Sequence, residues 1–201
     1  MKKVIISAAI LFSALFNINA TAQTQTKLGV KLNANLTNVK LTDLQGVKEE
    51  FNPGASVGGF VKIQFNENFA LQPELMFNYT EAKVKQSGES LKFKYAAVEI
   101  PVYALGQIKA GTGKVFLGAG PHIGYGFSAD SATEHLPAGS PGENKLEMDH
   151  WYMGGSAIAG YEFRNGLSVH AGYQLGRDLS SSSNGSKVNT QTISLGVGYK
   201  F

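Results

Sequence analysis

The sequence predicts an all-β fold, an eight-stranded antiparallel up-and-down transmembrane β-barrel. Three features carry that expectation. Large apolar residues recur at every second position through successive runs, the period of a strand and not the 3.6 of a helix. The alternate positions are filled largely by small residues, among them Gly118, Gly120, Gly124, Gly126, Gly154, Ser156, Gly160, Gly172, Gly196 and Gly198. Aromatic residues on the apolar parity gather near the ends of the runs, as girdles at two membrane interfaces would.

Residues 1–22 precede the first strand and read as a secretory signal peptide. Lys2 and Lys3 form a positive start, residues 4–16 are apolar apart from Ser7 and Ser13, and Ala20-Thr21-Ala22 supplies a small-x-small cleavage pattern. The expected mature barrel domain is therefore 23–201. Removing the leader takes Lys+Arg from 18 to 16 against 15 Asp+Glu, so the remainder is close to neutral at +1. No basic stripe with interleaved aromatics is present, which argues against nucleic acid as a partner. The chain has no cysteine, which excludes disulfides and thiolate metal sites.

The first run sets Leu28, Val30, Leu32, Ala34 and Leu36 against Gly29, Lys31, Asn33 and Asn35. The second sets Val57, Gly59, Val61, Ile63 and Phe65 against Ser56, Gly58, Phe60, Lys62 and Gln64. The third sets Leu71, Pro73, Leu75, Phe77 and Tyr79 against Gln72, Glu74, Met76, Asn78 and Thr80. The fourth, over 91–108, changes parity. Leu91, Phe93 and Tyr95 share one face, while Ala96, Val98, Ile100, Val102 and Ala104 share the other, which predicts a β-bulge near residues 95–97. Regular alternation returns over 115–127, 151–163, 167–175 and 193–201.

The connections at 37–53, 129–147 and 179–187 are long, and those at 66–68 and 164–166 are tight. The latter contains Asn165-Gly166, a strong hairpin signal. The connections at 86–90 and 109–114 fit neither class. Long loops at one end and tight turns at the other is the asymmetry of outer-membrane barrels.

Alternation alone leaves open which face meets solvent. A soluble lipocalin-like barrel would turn the apolar set inward around a lipophilic ligand, whereas a membrane barrel turns it outward. Small residues on the polar parity suit the narrow lumen of eight strands. Phe65, Phe69, Tyr161, Phe163, Tyr199 and Phe201 fall at the tight-turn end, and Tyr79, Tyr125, Phe127 and Trp151 toward the loop end. Both features favour lipid outside.

The chain resembles the PorT-like outer-membrane β-barrel family, also grouped with small porin-family barrels. The resembling segments are Leu28-Gly29-Val30-Lys31-Leu32-Asn33-Ala34-Asn35, Phe51-Asn52-Pro53-Gly54, Leu71-Gln72-Pro73-Glu74-Leu75, Val98-Glu99-Ile100-Pro101-Val102 and Gly196-Val197-Gly198-Tyr199-Lys200-Phe201. The resemblance implies a Gram-negative-type outer membrane, lipid as the surroundings, and insertion by the barrel-assembly machinery with Tyr199 and Phe201 as the assembly signal. One member is tied to protein secretion. Membership by itself fixes no function; the role expected for this chain is structural or interactive, through external loops and other envelope proteins, in secretion or envelope maintenance. The alternatives are a soluble periplasmic lipocalin-like barrel binding a lipophilic ligand and a narrow porin-like channel.

No enzyme or cofactor is expected. Glu74 and Glu99 share the inward parity of neighbouring strands, and with Lys31 and Lys62 they form an expected lumen charge network, because buried charges must be paired. His122, His150 and His170 share that parity at heights too different to converge on one metal ion. Gly118-Ala119-Gly120 and Gly196-Val197-Gly198 do not complete a dinucleotide motif. Ala110-Gly111-Thr112-Gly113-Lys114 is followed by Val115, where a phosphate-binding loop needs Ser or Thr.

Overall fold

The computed structural model describes residues 25–41, 51–86, 89–127, 150–178 and 188–201. The expected leader at 1–22 and most of the three long connections lie outside the described residues. Eight strands follow one another: β1 (Gln25–Leu41), β2 (Asn52–Gln64), β3 (Phe69–Gln86), β4 (Glu89–Ala110), β5 (Gly113–Phe127), β6 (His150–Glu162), β7 (Leu167–Asp178) and β8 (Val188–Lys200). Each pairs antiparallel with the next, and β8 pairs with β1, closing the barrel.

The registers fix the size of the cylinder. A path stepping across paired residues runs Gln25, Gln64, Ala70, Leu105, Gly118, Ile158, Gly172, Ser194 and returns to β1 at Asn35. One circuit therefore climbs β1 from residue 25 to residue 35, a stagger of ten. With strands ~4.8 Å apart and a rise of ~3.3 Å per residue, that stagger tilts the strands by about 40° and sets a backbone radius of about 8 Å.

The two parities divide as outside and inside, with the apolar set outward. Leu117 and Leu195 are 66% and 65% exposed, while Lys62 and Glu74 keep only 2% and 3% of their surface exposed. That is the reverse of a soluble barrel around a lipophilic ligand. The aromatic contacts fall into two groups. At the tight-turn end Phe65 packs on Phe69, Tyr161 on Phe163 and Tyr199 on Phe201, with ring centroids 5.8, 4.9 and 5.4 Å apart. Toward the loop end Phe77 meets Phe127, and Tyr125 meets Phe127 and Trp151, at 6.2, 6.2 and 5.1 Å. At a rise of ~3.3 Å reduced by tilt, the two girdles lie about 25 Å apart along the barrel axis, the height of a membrane barrel's apolar band.

The turns close with local hydrogen bonds. Between β2 and β3, Asn66 Oδ1 accepts from the backbone N–H groups of Asn68 and Phe69 at 2.9 and 2.8 Å. Between β6 and β7, Phe163 N donates to Leu167 O at 2.8 Å and Gly166 N to Phe163 O at 3.1 Å. Gly166 has φ 88°. Its own carbonyl accepts from Lys200 N at 2.9 Å, and Phe201 N donates to Leu28 O at 2.9 Å. The end of β8 is thus held on both sides.

Two sequence expectations are corrected. The connection expected at 109–114 is a tight turn, because Lys109↔Lys114 and Ala110↔Gly113 already pair and only Gly111 and Thr112 lie between the strands. Gly111, with φ 60°, makes that reversal sterically free. The expected bulge near 95–97 is absent. Tyr95, Ala96 and Ala97 pair in sequence with Thr80, Tyr79 and Asn78, and Ala96 and Ala97 also pair with Phe127 and Gly126. The apolar set changes parity along an unbroken ladder, where β3 and β4 outrun their other neighbours.

The two left-handed glycines differ in surroundings. An added Cβ at Gly111 would meet nothing closer than Tyr161 Oη at 3.8 Å, whereas at Gly166 it would run into the Lys200 carbonyl. We predict that Gly111→Ala costs roughly 1 kcal/mol, the left-handed penalty alone, and that Gly166→Ala costs more. Urea unfolding in detergent micelles measures both; equal midpoints would contradict the close approach of β8.

Candidate functional site

The interior of the barrel is the candidate site, and it is built in levels. Nearest the tight turns, Glu162 accepts from Lys62 Nζ at 2.7 Å and from Lys200 Nζ. Lys62 also lies over the Phe116 ring, 6.0 Å from its centroid. Ala70, Tyr103, Leu105, Phe116 and Ile158 form an apolar cluster around this level and just above it. In the middle, Lys31 Nζ donates to Glu74 Oε1 at 2.6 Å, and Gln72 Nε2 donates to the same oxygen at 2.8 Å. Beside them His170 Nε2–H donates to Asn33 Oδ1 at 2.8 Å, and Asn33 Nδ2 donates to Ser56 Oγ at 2.9 Å. Toward the loop end, Glu99 accepts from Gln174 Nε2 and, at 3.2 Å, from Tyr152 Oη. His122 Nδ1 and Ser156 Oγ share a hydrogen bond of 2.7 Å.

Glycine makes this crowding feasible. Gly29 pairs with Phe60, Gly160 with Phe116 and Gly124 with Tyr152. In each case an added Cβ would strike the ring of the paired aromatic. Each bulky inward ring therefore lies over the bare backbone of its neighbour. Gly196 pairs with both Asn33 and His170, so the hydrogen bond between those two passes across it.

The four residues expected to form one lumen charge network are all buried inside the barrel. They divide between levels. Lys31 and Glu74 join; Lys62, set diagonally to Glu74 across β2 and β3, pairs instead with Glu162 on the far side. Glu99 is held by two neutral donors. Lys200 falls on the lumen parity in the sequence pattern; Glu162, Gln174 and Tyr152 sit on that inward parity too, which is the signal that marks them. His122 and His170 have separate partners, and the side chain of His150 lies outside the described residues. Among the described residues no three His, Asp or Glu converge as metal ligands would. Tyr199 and Phe201 are exposed on the outer face.

A cavity of about 20 Å³ lies between Lys31, Glu74, Glu99, Tyr103, His170 and Gln174, room for roughly one water. At the rim, Lys109 pairs with Glu67 at 3.0 Å. That hydrogen bond holds the Glu67 carboxyl below the usual carboxylate range, but both groups are largely exposed.

Residues 8–201 match the family described as outer membrane protein beta-barrel domain. No curated protein matches the chain. Among solved structures, Neisserial surface protein A (NspA) is 17% identical over 88% of this chain and 99% of its own, with a TM-score of 0.52. The attachment invasion locus protein Ail of Yersinia pestis is 16% identical over 88% and 99%, with a TM-score of 0.45. At such identity the likeness to NspA is one of fold.

The pairings rank the carboxylates. Glu74→Gln strands the buried Lys31 ammonium and should cost about 3 kcal/mol. Glu99→Gln leaves no cation behind and should cost clearly less; Glu67→Gln breaks an exposed pair worth ~0–1 kcal/mol. Thermal unfolding followed by the gel shift of the folded barrel tests the order. A Glu99 variant weaker than the Glu74 variant would overturn the pairing of Lys31.

Proposed function

The chain belongs to the outer membrane protein beta-barrel domain family, and on that premise we propose that it is a closed barrel acting through its loop end, not through its lumen. It would serve as a structural or interaction component of the envelope, meeting other envelope proteins in secretion or envelope maintenance. The observation that carries this reading is the interior itself. Three polar levels and an apolar cluster occupy the bore, and the cavity among Lys31, Glu74, Glu99 and Gln174 measures only about 20 Å³. A solute path would have to dismantle buried ion pairs, which is costly.

The finer placement among PorT-like barrels rests on Leu71-Gln72-Pro73-Glu74-Leu75 and Val98-Glu99-Ile100-Pro101-Val102 on β3 and β4. In this reading residues 1–22 are removed on export and the tight turns face the periplasm, as short turns do in this class. Tyr199 and Phe201, ring-packed and exposed at the lower end of β8, serve as the handle for the barrel-assembly machinery.

Two measurements test the reading. Purified barrel in planar bilayers should give no discrete conductance steps; reproducible steps would restore the narrow-channel alternative. Leu195 stands near mid-height between the girdles and is 65% exposed. Leu195→Arg should destabilise the barrel in lipid by ~2–4 kcal/mol. Improved recovery of that variant in a soluble fraction would contradict lipid on this face.

A further inference from the structure

The tight-turn end of the barrel carries a surplus of positive charge. Among the described residues Lys27, Lys62, Lys109, Lys114, Arg164 and Lys200 lie at this end, against two acidic side chains, Glu67 and Glu162. The registers sharpen the imbalance. Lys27 stands directly opposite Lys62, and Lys109 directly opposite Lys114. Like charges at directly opposed positions destabilise a ladder. Glu162 answers Lys62 and Lys200, and Glu67 answers Lys109 across an exposed pair at 3.0 Å. Lys114 Nζ donates only to a neutral group, the Glu67 carbonyl at 3.3 Å. Lys27 and Arg164 are exposed, and neither has an ion pair among the described residues.

Two features say what answers the surplus. The first is its level. Lys27, Lys109, Lys114 and Arg164 each adjoin an exposed apolar residue of the lipid-facing parity: Leu28, Ile108, Val115 and Phe163 in turn. The charges therefore begin where the apolar wall ends, at the level of lipid headgroups. A lysine or arginine there keeps its stem on apolar surface and its charged head at the interface. The second feature is distribution. The four residues stand on β1, β4, β5 and the β6–β7 turn, so they ring the cylinder and do not mark one side of it. A protein partner would take one flank, whereas lipid surrounds the whole girth.

We propose that Lys27, Lys109, Lys114 and Arg164 form a basic rim that docks the phosphate groups of anionic phospholipid in the leaflet on the tight-turn side. The proposal rests on the outer-membrane reading, in which that leaflet is the periplasmic one. A basic residue at a membrane surface raises affinity for anionic headgroups about fivefold, and salt screens the attraction. The lipid beside the rim is therefore enriched in anionic headgroups over the rest of the leaflet.

The chain has no cysteine, so Thr112→Cys, on the exposed β4–β5 turn, places a single fluorophore at the rim. The labelled barrel is reconstituted in phosphatidylcholine nanodiscs. The quencher is a lipid spin-labelled near its headgroup, either phosphatidylglycerol or phosphatidylcholine. The anionic quencher should reach half-maximal effect at a mole fraction more than about tenfold lower than the zwitterionic one, and about 1 M salt should remove the difference. In the K27Q/K109Q/K114Q/R164Q variant the two quenchers should act alike. R177Q, altered at the loop end, should keep the wild-type preference. Absence of a preference in the wild type, or an equal preference in the fourfold variant, overturns the proposal. So does loss of the preference to millimolar inorganic phosphate at constant ionic strength, which would indicate a simple anion site. Loss to polyglutamate at the same charge concentration as the anionic lipid also overturns it and would indicate an acidic protein. A barrel that stays outside the nanodiscs would instead sink the membrane reading. If the fourfold variant does not fold, K27Q/R164Q carries the test; it should lower the preference severalfold, and an unchanged preference overturns the proposal.

Discussion

Hydrocarbon offers a strand nothing to hydrogen-bond with, so every backbone donor and acceptor inside the membrane must find a partner on another strand. The seam between β1 and β8 is where this chain meets that requirement. Thirteen residues of β1, from Gly29 to Leu41, pair across it, and Phe201 N reaches Leu28 O just below. Closure with eight strands and a stagger of ten leaves no freedom in radius. The width of the lumen follows from the backbone registers before any side chain is considered.

A bore of that width cannot hold a large side chain at every inward position, and it has little room to hydrate charges. The sequence meets the first limit by setting a glycine opposite each of Phe60, Phe116 and Tyr152. It meets the second by placing opposite charges at matching height: Lys31 with Glu74, and Glu162 between Lys62 and Lys200. These pairings tie strands that are not neighbours in the sheet. Lys62 on β2 and Glu162 on β6 face each other across the lumen, so the cylinder is braced through its centre as well as around its wall. An interior of this kind suits a rigid wall better than a passage.

The wall was legible in the sequence, and the bracing was not. Period two, the Asn165-Gly166 turn and the aromatic run ends are local signals, and local signals survive in a linear reading. Who meets whom across the bore depends on stagger and tilt, which no single strand encodes. Counting about the 66–68 turn places Lys62 diagonal to Glu74, yet its ion pair lies on β6, a hundred residues away in the chain. The 111–112 turn was hidden for another reason. Gly111 and Gly113 resemble a loose loop on paper, although only Gly111 takes the left-handed conformation that the turn needs. The parity change before Ala96 suggested a bulge because a period-two reading assumes one environment along a strand.

That assumption fails wherever a strand crosses from lipid to water. Between the girdles the outward parity is apolar; past Tyr79 the same parity of β3 continues in sequence as Glu81, Lys83 and Lys85. The β3–β4 ladder keeps its register through this change, so the switch of parity needs no inserted residue. The cross-lumen ion pairs brace the wall through its centre, and the β3–β4 ladder runs on past the upper girdle without a change of register.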